Sequence, residues 1–206
     1  MHWIDPDCLP ETVGKIDLFL LNPHGEIDGM MLADGTEVHL PPHMSADIVA
    51  ALRPGSTVKL RAVRPRAADL LAAVAFETAD GVRYEDQGPP KHHKQGRKHA
   101  KPPNAGRMEV EGLVRCALHG PKGETRGVLL QDGRSGRFPP HAADAVEKLL
   151  APGASVVLRG ACVVTAHGTV VAIDAIGAAH DSLRPVDGKP PKPKGHKPPK
   201  PSKHPH

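Results

Sequence analysis

The sequence predicts an all-β fold with one short helix per domain, built twice in tandem. Three observations predict it. Residues 14–62 slide onto residues 112–160 by a shift of 98 without a gap, and 18 of the 49 aligned pairs are identical. Short apolar runs alternate with Gly, Pro and Asp turn signals. Aromatic residues make up only 2% of the chain, while Pro (23) and Gly (21) are abundant. Two cores of Val, Leu, Ile, Met and Ala, each under some 80 residues, are therefore expected, and cores of that size are only marginally stable.

Each element can be read in both copies. Residues 14–21 (GKIDLFLL) read as a first strand, although the LFLL run blurs its alternation. Asn22-Pro23-His24-Gly25 is a turn. Residues 27–33 read as a second strand with Gly29 at a bulge or sharp bend. Asp34-Gly35 marks a hairpin, because Gly accepts the positive φ of a tight turn. Residues 36–40 alternate as a third strand, which Pro41-Pro42 ends. In residues 44–52, Met44, Ile48 and Leu52 share one helical face, with Ser45 as the expected N-cap. Pro54-Gly55 stops that helix. Residues 57–63 and about 70–78 complete five strands. The repeat continues beyond 62 if one inserted residue aligns LLAAVAFE with TVVAIDAI. The expected organisation is a first domain over 1–84, a linker over 85–107, a second domain over 108–183 and a tail over 184–206.

Strand, strand, strand, helix, strand, strand is the element order of the OB-fold, a five-stranded partly open barrel. On LNPHGEIDGMMLADGTEVHLPPH and its echo LHGPKGETRGVLLQDGRSGRFPPH, the chain resembles bacterial tandem OB-fold proteins. The resemblance covers about 12–80 and 108–178. It implies two OB-like barrels and, by analogy, binding of single-stranded nucleic acid or of other proteins. Another small β-barrel, such as an SH3-like one, is the competing topology.

Charge is unevenly placed. Residues 1–84 carry 7 Lys and Arg against 12 Asp and Glu, and residues 108–183 carry 7 against 8. The positive excess lies in 85–107 (6 against 2) and 184–206 (7 against 1). Both segments are Pro-, Lys- and His-rich with almost no apolar residues, so disorder is expected. As basic arms they would neutralise phosphates and release counterions; Lys192, Lys194, Lys197 and Lys200 are candidates. A solubilising linker and tail would have the same composition.

The barrels themselves are not strongly basic. The copies differ where OB-folds usually bind, on the second and third strands. His24, Asp28, Thr36, His39 and Leu40 become Lys122, Arg126, Arg134, Arg137 and Phe138. These five make the second barrel the candidate nucleic-acid face, although Phe138, replacing a core-like leucine, fits a core role as well. The acidic first barrel suits a protein-interaction module instead, and weak metal binding by the His-rich arms is a third reading.

No catalytic reading emerges. There is no GxSxG, P-loop, HExxH or dinucleotide fingerprint, and no nucleophile–base–orienter set. Glu26 and Glu124, retained in both copies, sit in Gly-flanked turns and suit turn hydrogen bonds. His24, His39 and His43 lack closed ligand spacing, and the second copy keeps only His141 of the three, so no shared metal site and no cofactor are expected. Cys8, Cys116 and Cys162 form no CxxC pair and point to a reducing compartment. With neither a secretory pattern nor a membrane-length apolar run, a cytoplasmic location without membrane contact is expected.

Overall fold

The structure is a computed structural model and describes residues 5–66, 69–88 and 106–186. Two closed five-stranded barrels form. In the first, β1 (Glu11–Leu21) pairs antiparallel with β2 (Ile27–Leu32) and β4 (Thr57–Val63). β2 pairs with β3 (Glu37–His39) and β4 with β5 (Leu70–Thr78), and a parallel β3–β5 pairing closes the barrel. α1 (Ser45–Ala51) lies between β3 and β4, and β6 (Arg83–Glu85) adds to the free edge of β5. The second barrel repeats this plan. Its strands are β7 (Gly106–His119), β8 (Thr125–Leu130), β9 (Ser135–Arg137), β10 (Ser155–Thr165) and β11 (Gly168–Gly177). α2 (Ala143–Val146) follows β9, and β12 (Arg184–Pro185) borders β11. This element order, closed by the parallel third–fifth pairing, is the OB-fold plan.

Local chemistry explains the strand geometry. The β1–β2 register shifts between Leu20/Gly29 and Leu21/Ile27, so Asp28 sits in a bulge. Gly29 beside it allows close approach: a Cβ there would meet the Val38 carbonyl oxygen, and one on Gly127 would meet that of Gly136. Gly35 and Gly133 hold positive φ in the hairpin turns, where Asp34 and Asp132 accept the backbone N–H groups of Thr36 and Arg134. Met44, Ile48 and Leu52 are buried as their spacing predicts. Ser45, however, is not an N-cap. A 3-10 turn over Pro42–Met44 leads directly into α1, and the Ser45 hydroxyl instead accepts the Ile27 backbone N–H at 2.9 Å, tying the helix to β2.

The repeat also needs a different register at its end. Glu37 pairs with Leu70, and its equivalent Ser135 pairs with Val170. The fifth strands are thus related by 100 residues, so two residues are inserted rather than one. Sequence similarity is weak there, because both strands are runs of interchangeable small apolar residues. β6 ends at Glu85 and β7 begins at Gly106, each reaching past the ends expected from composition.

Candidate nucleic-acid interface

The faces carrying the divergent residues meet each other. Leu20 and Met31 of the first barrel and Leu118 and Leu129 of the second form one buried cluster, flanked by Leu18 and Cys116. These are three sets of equivalents 98 residues apart, so the same face of each barrel contributes to the joint. The tip of the β10–β11 hairpin reaches further: Val163 and Val170 belong to the first barrel's core, and His167 sets its ring edge-on to Phe19.

Polar links across this joint run from bases on the second barrel to acids on the first. Arg115 Nη2 lies 2.6 Å from Asp17 Oδ2. Arg137, only 7% exposed, donates from Nε to the Leu21 carbonyl oxygen at 3.1 Å and from Nη2 to Asp28 Oδ1 at 3.2 Å. Glu37, 4% exposed, accepts the His119 backbone N–H on both oxygens and pairs its Oε2 with His119 Nδ1 at 2.9 Å. Its Oε1 also meets His39 Nε2 at 3.2 Å. Burial alone would raise the Glu37 carboxyl, but hydrogen bonds from the His119 and His39 side chains and the His119 backbone outweigh it and bring the pKa down to about 2. The same bond raises the His119 imidazole above its usual value. Burial pushes Asp28 up, with Arg137 opposing.

The five candidate residues of the second barrel therefore have different environments. Arg137 is a buried strut between barrels rather than a solvent-facing cation. Phe138 is buried in the second core. Arg134 is held outside the joint by Asp132 (Nε to Oδ2, 2.7 Å) and by the Glu111 carbonyl oxygen. Lys122 and Arg126 are exposed, Lys122 in the β7–β8 turn and Arg126 at the start of β8. Lys192, Lys194, Lys197 and Lys200 lie outside the described residues. Of the acids retained in the turns, Glu26 accepts from Asn22 Nδ2 and Glu124 from the Lys122 backbone N–H. His43 pairs with Asp86 at 2.7 Å, a bond to a neighbouring loop.

Beside the joint, a cleft of about 660 Å³ opens between the two first turns (Asn22-Pro23 and Gly120-Pro121) and the β9–β11 side of the second barrel. Arg126, Arg137 and His119 line it, with Asp28 and Asp174 as its acids and Pro139, Pro140 and Ile173 as apolar wall. The two acids are engaged: Asp28 with Arg137, and Asp174 with Arg107 (2.8 Å) and Arg159 (3.3 Å). Among the described residues no group of three or more His, Cys, Asp or Glu is gathered to hold a metal, and no helix is long and apolar enough to cross a membrane.

Sequence reasoning did not single out Glu37, His119 or Asp28 as partners of the opposite barrel. The available signal was the sign change between the copies, which reads equally as a ligand face or as two complementary faces.

No protein-family model matches the chain, and no match is found among curated proteins. A solved structure of a deletion mutant of the single-stranded DNA binding protein from Thermus aquaticus is similar at 14% identity. That alignment covers 88% of this chain and 96% of the other, with a TM-score of 0.27.

Proposed function

We propose that the chain is a non-enzymatic nucleic-acid-binding protein, acting on single strands with little sequence specificity. The segregation of charge carries this reading. Within the barrel pair, Arg115 and Arg137 are neutralised across the joint and Arg107, Arg134 and Arg159 by neighbouring acids. The surplus of Lys and Arg lies between β6 and β7 and beyond Val186. A chain whose barrels are net acidic, with most of their arginines paired, and whose surplus positive charge lies in two Pro-rich segments fits a polyanion with an extended backbone held by those segments. Lys122, exposed in the β7–β8 turn, and Arg126, at the cleft, extend that positive character onto the second barrel. Three acids of the first barrel, Asp17, Asp28 and Glu37, are already paired with the second barrel.

The test is fluorescence anisotropy with a labelled single-stranded oligonucleotide over a range of salt, for the full chain and for a chain lacking residues 187–206, which keeps β12 and the buried Val186. The full chain should bind with log K falling linearly in log salt, by about 0.7 per phosphate neutralised. Loss of the tail, with its six lysines, should make that slope shallower. Absence of binding by the full chain at low salt overturns the reading.

A further inference from the structure

Alongside His39, which meets Glu37 through Nε2, three further side chains with hydrogen-bonding capacity left over among the described residues line the cleft. Arg137 uses Nε and Nη2 on the first barrel, which leaves Nη1. His119 commits Nδ1 to Glu37, which leaves Nε2 to donate when the ring is protonated, the form the Glu37 bond favours. Arg126, its side chain 45% exposed, has Nη1 3.8 Å from Glu124 Oε1, beyond hydrogen-bond distance. The three are placed by backbone that cannot easily move. The Phe138 N–H donates to the Arg126 carbonyl oxygen at 3.0 Å, Gly127 pairs with Arg137 across β8–β9, and the His119 N–H is fixed on Glu37. Each acid in the cleft is paired with arginine, Asp28 through Oδ1 with Arg137 and Asp174 with Arg107 and Arg159, which offsets their repulsion of an anion.

We propose that this cleft is a phosphomonoester site which, given the nucleic-acid reading above, takes the terminal phosphate of a strand. Two guanidinium groups and an imidazole suit a terminal phosphate, which carries about −1.5 to −2 charge and three free oxygens. An internal phosphodiester has one charge and a chain continuing on both sides. Arg137, nine-tenths buried, is reached most readily by a group that ends there. The terminal nucleoside then lies along Pro139, Pro140 and Ile173, an apolar wall without long flexible side chains. The cleft volume of about 660 Å³ falls inside the range of roughly 300–1,000 Å³ usual for small-molecule sites.

The experiment compares one oligonucleotide sequence with a 5′-phosphate, a 3′-phosphate or hydroxyls at both ends, at fixed salt, with the full chain. A nucleoside monophosphate is titrated in parallel by calorimetry. One phosphorylated form should bind about tenfold more tightly than the hydroxyl form, a difference of about 1.4 kcal/mol. Arg126→Gln should erase that ratio, whereas Arg134→Gln, a cation outside the cleft on the same barrel, should preserve it. Circular dichroism melting verifies that both variants are folded. Salt-dependent binding of all three forms with equal affinity overturns the site and leaves the nucleic-acid reading intact. If no oligonucleotide binds, that reading falls, and the monophosphate decides the site: binding abolished by Arg126→Gln upholds it, and no binding overturns it.

Discussion

Glu37 concentrates the chemistry of the joint in a single carboxylate. It is buried, yet charged, because a backbone N–H and two imidazoles supply the hydrogen bonds that water would otherwise provide. Glu37→Ala should therefore lower stability by about 3 kcal/mol, since it leaves the donors of His119 without an acceptor; urea unfolding measures this. The pH dependence has a defined sign. The Glu37 pKa falls from the usual 4.5 to about 2, so its contribution is complete above 4.5 and disappears as pH drops toward 2. The His119 pKa is raised above 6.5, so its contribution is complete below 6.5 and disappears as pH rises through the folded value. Stability from this pair should peak between about pH 4.5 and 6.5, and Glu37→Ala should flatten both flanks. An unchanged pH profile in the variant would refute that account. Nothing in the sequence TEVHL distinguishes Glu37 from an ordinary solvent-facing charge on an alternating strand. Its partners are 82 residues away in His119 and two away in His39, and only the first of these reveals why it is buried.

At the scale of elements, the strands were largely legible. β4 (Thr57–Val63) and β5 (Leu70–Thr78) coincide with the expected runs, and β1, β2 and β3 differ only at their ends. Their turns contain Gly and Asp, whose backbone roles do not depend on distant parts of the molecule. The doubly apolar steps carried more information than strand prediction uses. LFLL, MM and VLL break the two-residue alternation because both faces of those strands are covered. Phe19, Met30, Val128 and Leu130 face their own cores, while Leu20, Met31 and Leu129 face the other barrel. Periodicity indicates that a second face is buried but not what buries it. Met31→Ala and Leu129→Ala should each cost about 2–5 kcal/mol, and the double mutant should deviate from additivity because the two side chains share one cluster. Val13→Ala, at a position 59% exposed, should change stability by less than about 0.5 kcal/mol. Equal losses at Val13 and Met31 would show that the cluster contributes nothing special. These measurements are readable in chemical denaturation without any assay of binding.

For the whole molecule, the divergence between the copies acquires a second meaning. A single-copy ancestor joined to itself through this face would set each residue opposite its own twin, and like charges would repel at the position now held by Asp17 and Arg115. Here those equivalents form an ion pair at 2.6 Å, so the acidic character of one copy and the basic character of the other make the two faces complementary. Complementarity of this kind selects the internal pairing over association of two identical barrels. It follows that the barrels should not behave as independent domains. Val163 and Val170 of the second barrel lie within the first barrel's core, and Glu37 and Arg137 would each be left buried or newly solvated by partial separation. Thermal unfolding should therefore proceed in one cooperative transition, with calorimetric and van't Hoff enthalpies agreeing for a unit of the combined size. Asp17→Arg should lower the midpoint, and adding Arg115→Asp to it should recover most of the loss. The recovery will be modest, about 0.5–1 kcal/mol, since both side chains are partly solvated. Two separate transitions, or a van't Hoff enthalpy near half the calorimetric value, would mean that each barrel melts alone and that the buried cluster between them does not couple their folding.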